Sequence, residues 1–288
     1  MTICVAVKVS EGLVLAADSA ATIHGELHLP NGEVSIGILK TYEHARKLSH
    51  VKDYPIGTLS WGLSLIGPRS VESLIKEYEY SLQSLQEEQE KAHLCRLEGR
   101  AEVDPFRYQV RDIAQGLFQH IKKFYEANLP EDKRSPLGIL VSGYSSDQFF
   151  PEQFMIQIPE SPDLKELRKD VNGKPNFGAD WFGLTDAMTR LHWGRDQQVV
   201  AIIADRFKVE KEEVRQLLEP LQYQIVFDGM PLQDAIDFAV YVVNVVIGRY
   251  RFVLGAPLCG GEIDVAVITP DNFTWINRKA WKIDNRIS

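Results

Sequence analysis

Apolar and polar residues alternate at the start of the chain and then give way to a wholly apolar run. Branched aliphatic side chains stand at positions 3, 5, 7 and 9, which is the period of a strand with one buried face. A polar break at residues 10–12 ends in Gly12 and predicts a tight hairpin loop. The apolar run at residues 13–17 predicts a second strand covered on both faces, and Asp18 ends it.

Apolar residues recur every three or four positions in several later stretches, which predicts amphipathic helices that cover a core. These predicted helices span residues 71–85, 106–128, 197–222 (as a pair of helices) and 230–251. Shorter apolar runs flanked by glycine or proline predict further strands at residues 137–144, 153–158 and 263–268. The pattern as a whole predicts helices packed on sheets.

The composition of the 288-residue chain is ordinary for a soluble globular protein, with 25% charged and 44% hydrophobic residues. Its formal net charge of −8 argues against nucleic acid or an anionic membrane as the main partner. We recognise neither a signal peptide nor an apolar run long enough to span a bilayer, and we expect a cytoplasmic protein. Cys4, Cys95 and Cys259 are widely separated and suggest neither a disulfide framework nor a zinc site. We expect no metal and no cofactor.

Candidate chemistry lies at the second residue of the sequence. The initiator methionine is usually removed when the next side chain is small, so we expect Thr2 to become the first residue. A free N-terminal threonine carries a hydroxyl and an α-amine on adjacent carbon atoms. The amine, with an ordinary pKa of about 8, can accept the hydroxyl proton. Many proteins begin with Met-Thr without being enzymes, so this pair of residues alone decides nothing.

The longer stretch TICVAVKVSEGLVLAADSAAT, residues 2–22, resembles the start of a mature proteasome-type β-subunit, which is an N-terminal nucleophile (Ntn) hydrolase. Thr2, Gly12 and Asp18 fall in register with the nucleophile, the turn glycine and the aspartate of that family. A Gly-Gly-x-Ile-Asp block at residues 260–264 is similar to that of bacterial ancestral β-subunit-like proteins. The resemblance covers most of the chain, roughly residues 2–276, in blocks separated by insertions, and its strongest motif is the N-terminal one.

The resemblance implies the fold and its layout. The fold class is α+β, in the form of the four-layer αββα sandwich of the Ntn hydrolases, with an extra helical insertion. The chain forms a single domain over residues 2–288, with insertions near residues 23–42, 86–104 and 195–229. For the helices of the last insertion we expect an oligomer contact or a cap rather than a second active site.

The resemblance also implies the residues of a catalytic site. Thr2 is the nucleophile, and Asp18 pairs with a lysine whose ammonium assists the threonine oxygen. Lys47 matches that lysine and Arg46 is its nearest competitor, whereas a surface lysine in a basic run is the simpler interpretation without the resemblance. Gly62 matches the glycine whose amide donates to the oxyanion, although a turn that needs a small residue explains it equally well.

The same match implies a substrate pocket, and the sequence differs from the family pattern in two places. Ser60 and Ser64 would flank the pocket for the first side chain of the substrate. The Gly-Ser-Gly turn of the family, whose serine supports the amine, reads Gly-Leu-Thr here, so Thr185 or Asp186 would substitute for that serine. An Asp and a Ser that precede the Gly pair in the family are also replaced. Cys259 stands in place of the serine, and we favour a small buried hydrophobe over a reactive thiol there.

The function implied is a threonine-type peptide hydrolase that acts in a self-assembled homo-oligomer on a peptide or protein substrate. An ATP-dependent unfoldase or adaptor would fit the family, but no residue of the sequence supports one. Two alternatives stay open. The chain is a catalytically weak or inactive assembly (scaffold) subunit of the same fold, as the replaced Asp and Ser suggest, or it is a small-molecule amidase, because N-terminal nucleophiles also cleave non-peptide amides.

Overall fold

The computed structural model describes residues 1–28, 34–82 and 107–281. Within these residues the chain is a mixed α and β fold with two five-stranded sheets, and every strand pair in both sheets is antiparallel. The predicted insertion near residues 86–104 lies outside the described residues. No helix of the described part has both the length and the apolar character that a membrane crossing needs.

The first sheet contains the predicted opening hairpin at its centre. In spatial order its strands are β12 (Gly178–Gly183), β1 (Ile3–Val9), β2 (Gly12–Ala17), β13 (Asp264–Ile268) and β14 (Phe273–Asn277). The prediction that β1 has one buried face is wrong, because every residue of the strand is buried. Val5 faces a core beside the helices whereas Ala6 faces a core between the two sheets, so both faces are covered. The opening hairpin is therefore packed between two hydrophobic cores, one on each face.

The second sheet faces the first through that shared core. Its strands, in spatial order, are β11 (Lys165–Leu167), β10 (Glu152–Ile158), β9 (Leu137–Gly143), β6 (Ile56–Gly62) and β5 (Leu48–Val51). The predicted strands at residues 137–144 and 153–158 are confirmed as β9 and β10, which pair with each other. Two hairpins complete the strands, β3 (Ala21–His28) with β4 (Val34–Tyr42) and β7 (Leu65–Ile66) with β8 (Arg69–Ser70).

The helices follow the apolar periodicity of the sequence. They are α1 (residues 71–82), α2 (Val110–Asn128), α3 (Asp186–Trp193), α4 (Gln197–Phe207), α5 (Lys211–Leu217) and α6 (Leu232–Arg251). The predicted helix at residues 106–128 begins later than expected, because Gln109 has extended backbone angles and Val110 N donates to Ser145 Oγ at 2.9 Å. The predicted pair at residues 197–222 is confirmed as α4 and α5, with the break at Lys208 in the left-handed region.

Three large buried clusters, counted within the described residues, hold these elements together. One joins the second sheet to α1 and α2, with Leu74, Leu117 and Val141 as members. Another joins the first sheet to α6, through residues such as Val5 and Val243. The third joins the two sheets, and its members include Ala6, Leu15, Leu59 and Leu140. Burial of this apolar surface is the main force that fixes the ends of β1 and β2, where the candidate site lies.

Candidate active site

Thr2 and Asp18 lie together because they flank the first hairpin. Thr2 immediately precedes β1, Asp18 immediately follows β2, and the pairing of Cys4 with Ala17 brings the two strand ends side by side. Both side chains are buried, that of Asp18 completely. The two ends are also joined through the backbone, since Asp18 N donates to Ile3 O at 3.2 Å.

The Asp18 carboxylate accepts from three backbone N–H groups and one ammonium. Its Oδ1 accepts from Ile3 N at 3.0 Å, and its Oδ2 accepts from Ala20 N at 3.2 Å and from Gly260 N at 3.0 Å. Lys47 Nζ lies 2.6 Å from Oδ1, and the lysine side chain is only 7% exposed. Charge-assisted bonds of this number fix the carboxylate, and through it the ammonium, in one orientation.

Lys47 directs its ammonium towards the start of the chain. The residue stands immediately before β5, where its carbonyl accepts from Ser60 N at 2.8 Å. Its Nζ donates to Met1 O at 3.3 Å, so it contacts the peptide group that joins Met1 to Thr2. The structure thus brings Thr2, Asp18 and Lys47 together, and their catalytic roles stay predictions.

Arg46, the competing candidate for the lysine position, has other partners. Its NH1 lies 3.4 Å from Glu72 Oε1, and its guanidinium carbon lies 4.6 Å from the centroid of the Trp281 ring. The ion pair and the cation–π contact hold the guanidinium in the wall of the cavity beside Thr2. Lys47, and not Arg46, forms the ion pair with Asp18.

The α-amine in this structure belongs to Met1, and its environment favours the neutral form. Its nitrogen donates to Thr22 Oγ1 at 3.2 Å. Burial, reinforced by the Lys47 ammonium and opposed by the Asp18 carboxylate, holds the pKa of the Met1 amine below its ordinary value of 8.0. An amine with a lowered pKa is neutral, and able to accept a proton, at a lower pH than usual.

A cavity of about 350 Å³ opens directly in front of these groups. The size lies near the lower end of ordinary ligand pockets, so the cavity can take a small molecule or a short part of a larger one. Ser60, Gly62 and Ser64 all line it, together with Thr2 and Lys47. The remainder of the wall consists of Met1, Ala21, Thr22, Ile23, Tyr42, His44, Ala45, Arg46, Trp61, Leu63, Leu65, Ser70, Val71, Glu72 and Trp281.

Gly62 lies in the wall of the cavity in a conformation that favours glycine. Its φ is +83°, and a Cβ atom at this position would stand 2.3 Å from Pro136 O. The next residue, Leu63, donates its N–H to the same carbonyl at 2.9 Å. The backbone turn therefore accounts for the glycine by itself. Donation from its amide to an oxyanion stays a prediction.

Thr185 and Asp186 line a different cavity, of about 400 Å³, between β12 and helices α3 to α5. The Asp186 carboxylate accepts from Tyr250 OH at 2.9 Å and lies 3.0 Å from Arg249 NH2. The contact with Thr2 in this loop is made by the backbone, where Leu184 N donates to Thr2 O at 2.7 Å. Neither side chain is among the described residues that line the Thr2 cavity, and their support of the amine stays a prediction.

Cys259 behaves as a buried thiol. It is 2% exposed and belongs to the core between the first sheet and α6. Burial, reinforced by the nearby Asp18 carboxylate, raises the pKa of the Cys259 thiol to about 12, so it is protonated at neutral pH. The favoured interpretation of this residue as a small buried hydrophobe agrees with this environment.

Sequence reasoning missed a second buried lysine–aspartate pair beside the first. Lys279 Nζ lies 2.7 Å from Asp264 Oδ2, and the two side chains are 5% and 3% exposed. The same ammonium donates to Ser19 Oγ at 2.7 Å and to Ala45 O at 2.6 Å. An aspartate inside the apolar run of β13 was a usable signal, because a buried carboxylate needs a partner. Nothing local in the sequence identified Lys279 as that partner.

The described ranges hold no group of three or more His, Cys, Asp or Glu side chains that could bind a metal ion. The expected absence of a metal and of a cofactor stays a prediction.

Comparison with known proteins bears on the fold. No model of a protein family matches the sequence, and a search of curated proteins returns no match. Among solved structures, the chain is similar to the Anbu (Gly-1) mutant from Hyphomicrobium sp. strain MC1, with a TM-score of 0.50 and 17% identity over 97% of this chain and 86% of that one. The likeness shows the fold.

A second similar solved structure is also described as Anbu. It is Anbu (ancestral beta-subunit) from Yersinia bercovieri, with a TM-score of 0.47 and 15% identity over 95% of this chain and 87% of that one. The sequence resemblance to ancestral β-subunit-like proteins is thus confirmed at the level of the fold by the Hyphomicrobium structure. Activity does not follow from a likeness of this kind.

Proposed function

We propose that the chain is an Ntn hydrolase of the proteasome β-subunit type that cleaves peptide bonds with Thr2. The observation that carries the proposal is the buried ion pair of Lys47 with Asp18, 2.6 Å long, whose lysine lines the same cavity as Thr2. A buried ion pair costs desolvation energy and is weak evidence for a stabilising role alone. Its place beside a buried threonine hydroxyl and a cavity gives it a chemical use.

The proposed reaction begins with removal of Met1, which gives Thr2 a free α-amine. The amine accepts the proton of the Thr2 hydroxyl, and the oxygen attacks the carbonyl carbon of the substrate. The Lys47 ammonium stabilises the negative charge on the attacking oxygen, and Asp18 holds that ammonium in place. The tetrahedral intermediate expels the amine product, which takes the proton from the α-amine. Water then hydrolyses the ester on Thr2 and restores the hydroxyl.

Three further assignments complete the proposed site. The Gly62 amide donates to the oxyanion, and Ser60 and Ser64 flank the first side chain of the substrate; their place in the cavity wall supports this. Thr185 or Asp186 supports the amine, for which the contact of their loop with Thr2 O is the only argument. These assignments concern efficiency and selectivity, and the nucleophile does not depend on them.

The proposed fold is the four-layer αββα sandwich over a single domain. The three clusters support it, because they lie in turn between helices and sheet, between the two sheets, and between sheet and helix. We also propose that the chain self-assembles. Exposed apolar side chains on the helical part of the chain, beginning at α4, support an interface there, among them Ile202, Phe207, Leu217, Phe252 and Leu254.

Intact-mass spectrometry tests the proposed activity directly. The purified protein is measured before and after incubation with a peptide epoxyketone, an electrophile that reacts with an N-terminal threonine. We expect loss of Met1 and one adduct per chain, and we expect Thr2→Ala to form none. Thr269→Ala, in the turn between β13 and β14, is the matched control and keeps the adduct. Retention of Met1 would block the amine and contradict the mechanism.

A second candidate, an assembly subunit with weak or no catalysis, is favoured by one specific observation. The Asp186 carboxylate already binds Tyr250 and Arg249, and Cys259 is a buried thiol, an arrangement that favours a Thr2 amine without the supporting groups of the family. Protein that loses Met1 and yet forms no adduct with several electrophiles would favour this candidate. If adducts form, a panel of peptides and of non-peptide amides separates a peptidase from a small-molecule amidase.

A further inference from the structure

The ammonium of Lys279 joins three separate segments of the chain. Its three N–H donors match three acceptors, namely Asp264 Oδ2 at 2.7 Å, Ser19 Oγ at 2.7 Å and Ala45 O at 2.6 Å. Lys279 N adds a fourth bond, to Asp264 Oδ1 at 2.9 Å. A buried ammonium with all donors used holds its acceptors at fixed separations, because breaking any bond leaves a charge short of a partner.

Two of these segments carry the residues of the candidate site. Ser19 directly follows Asp18, and Ala45 is two residues before Lys47. The segments also touch each other, since Ala45 N donates to Ser19 O at 2.9 Å. Lys279 therefore binds to the flanks of both members of the Lys47–Asp18 ion pair without contacting either side chain.

The third segment leads back to the same carboxylate. Ser19 N donates to Gly260 O at 2.9 Å, while Gly260 N donates to Asp18 Oδ2 at 3.0 Å. The Ser19 hydroxyl in turn donates to Glu262 O. The ammonium, the serine hydroxyl and the backbone groups of residues 260 and 262 thus form one continuous hydrogen-bonded network that ends on Asp18.

We propose that Lys279 is a positioning residue of the Thr2 site, which through Ser19 and Ala45 sets the separation of Asp18 and Lys47. The inference rests on the proposed function. It extends the site to a residue near the end of the sequence, far from the opening hairpin. Misplacement of reacting groups by about 1 Å can lower a rate by about 100-fold, so a residue of this kind affects chemistry without touching substrate.

The test measures the kinetics of adduct formation with the peptide epoxyketone. The variants are Lys279→Met and the double variant Lys279→Met with Asp264→Asn, which leaves no uncompensated carboxylate in the core. Lys8→Met is the matched control: Lys8 in β1 is 3% exposed, and its ammonium contacts Asp170 at 3.0 Å and Arg168 O at 3.3 Å. All rates are corrected for the fraction of folded protein, and the maximal rate is separated from probe affinity.

We expect the Lys279 variants to lower the maximal rate by about 10- to 100-fold with little change in probe affinity, and Lys8→Met to leave both unchanged. A purely structural role would lower only the amount of protein that reacts. Wild-type rates in the folded fraction of the double variant would overturn the inference while leaving the function intact. Wild-type protein that forms no adduct would overturn both.

A milder variant covers the case in which neither Lys279 variant folds. Ser19→Ala removes one acceptor of the ammonium and keeps its ion pair with Asp264. We expect a several-fold lower maximal rate at unchanged probe affinity, and an unchanged maximal rate would overturn the inference.

Discussion

Two buried lysine–aspartate pairs lie in adjoining parts of this molecule and differ in the acceptors around each lysine. Lys47–Asp18 is 2.6 Å long and Lys279–Asp264 is 2.7 Å long, and no side chain of the four is more than 7% exposed. Lys279 donates to a carboxylate, a hydroxyl and a carbonyl, and all three belong to residues that remain after removal of Met1. Besides Asp18, Lys47 reaches only Met1 O among the described residues.

The two lysines differ in whether their acceptors outlast the removal of Met1. If Met1 is removed, Lys47 loses an acceptor and has a donor directed at Thr2 and the cavity. Lys279 loses nothing, because its acceptors are internal. We therefore propose that the Lys47–Asp18 pair takes part in the reaction and that the Lys279–Asp264 pair fixes the backbone around it.

The largest expected effect concerns the first pair. Lys47→Ala removes the charge that we propose assists the Thr2 oxygen, and we expect the rate of adduct formation to fall by about 10²- to 10⁴-fold. Stopped-flow or time-resolved intact-mass measurements give this rate for the folded fraction. A Lys47→Ala protein that reacts as fast as wild type would remove the distinction between the two pairs.

The second pair should matter most for stability. Asp264→Ala leaves the Lys279 ammonium buried without its carboxylate, and we expect the free energy of unfolding to fall by about 3–5 kcal/mol. Glu212→Ala, which breaks the exposed pair with Arg215, is the control and should cost about 0–1 kcal/mol. Urea denaturation of each variant measures both values. Equal losses of stability in the two variants would mean that the buried Lys279–Asp264 pair contributes no more than the exposed Arg215–Glu212 pair.

The pH dependence of adduct formation tests the amine as the base. The amine accepts a proton only when neutral, which is above its pKa, and burial together with Lys47 holds the pKa of the Met1 amine below 8.0. We expect the Thr2 amine to inherit this environment, so that the rate rises with pH and reaches half its maximum below about pH 8. A half-maximum at or above that pH would show that the environment does not act on the base.

The smallest expected effect lies at the rim of the cavity. Trp281 is 83% exposed, and Arg46 stacks against its ring at 4.6 Å. Removal of an exposed cation–π contact of about 0.5–1 kcal/mol should weaken probe binding by about two- to fivefold and leave the maximal rate unchanged. Titration of Trp281→Ala with the probe measures this. A change in the maximal rate would instead link Trp281 to the positioning of Lys47.

Local patterns in the sequence predicted the opening hairpin, the longer helices and several further strands. The period of two at residues 3–9 indicated β1, and the wholly apolar run after Gly12 indicated β2. The helical spacing gave α2 and α6 to within a few residues. Thr2 and Asp18 were identified through the resemblance to proteasome-type β-subunits, and the hairpin, which is a local structure, brings them together.

The packing of the folded chain was needed to show that β1 is buried on both faces and that Lys279 contacts the segments next to Asp18 and Lys47. Alternation predicts which residues share a face of a strand, but it carries no information on whether a second sheet covers the other face. Lys279 and Ser19 are 260 positions apart, and no local period or spacing relates them. Their contact exists because β13 lies between β2 and β14, so the segments that follow those two strands meet at the Asp264 carboxylate. Lys279 is the partner of the Asp264 carboxylate because folding places the two side chains next to each other, and not because of their spacing in the sequence.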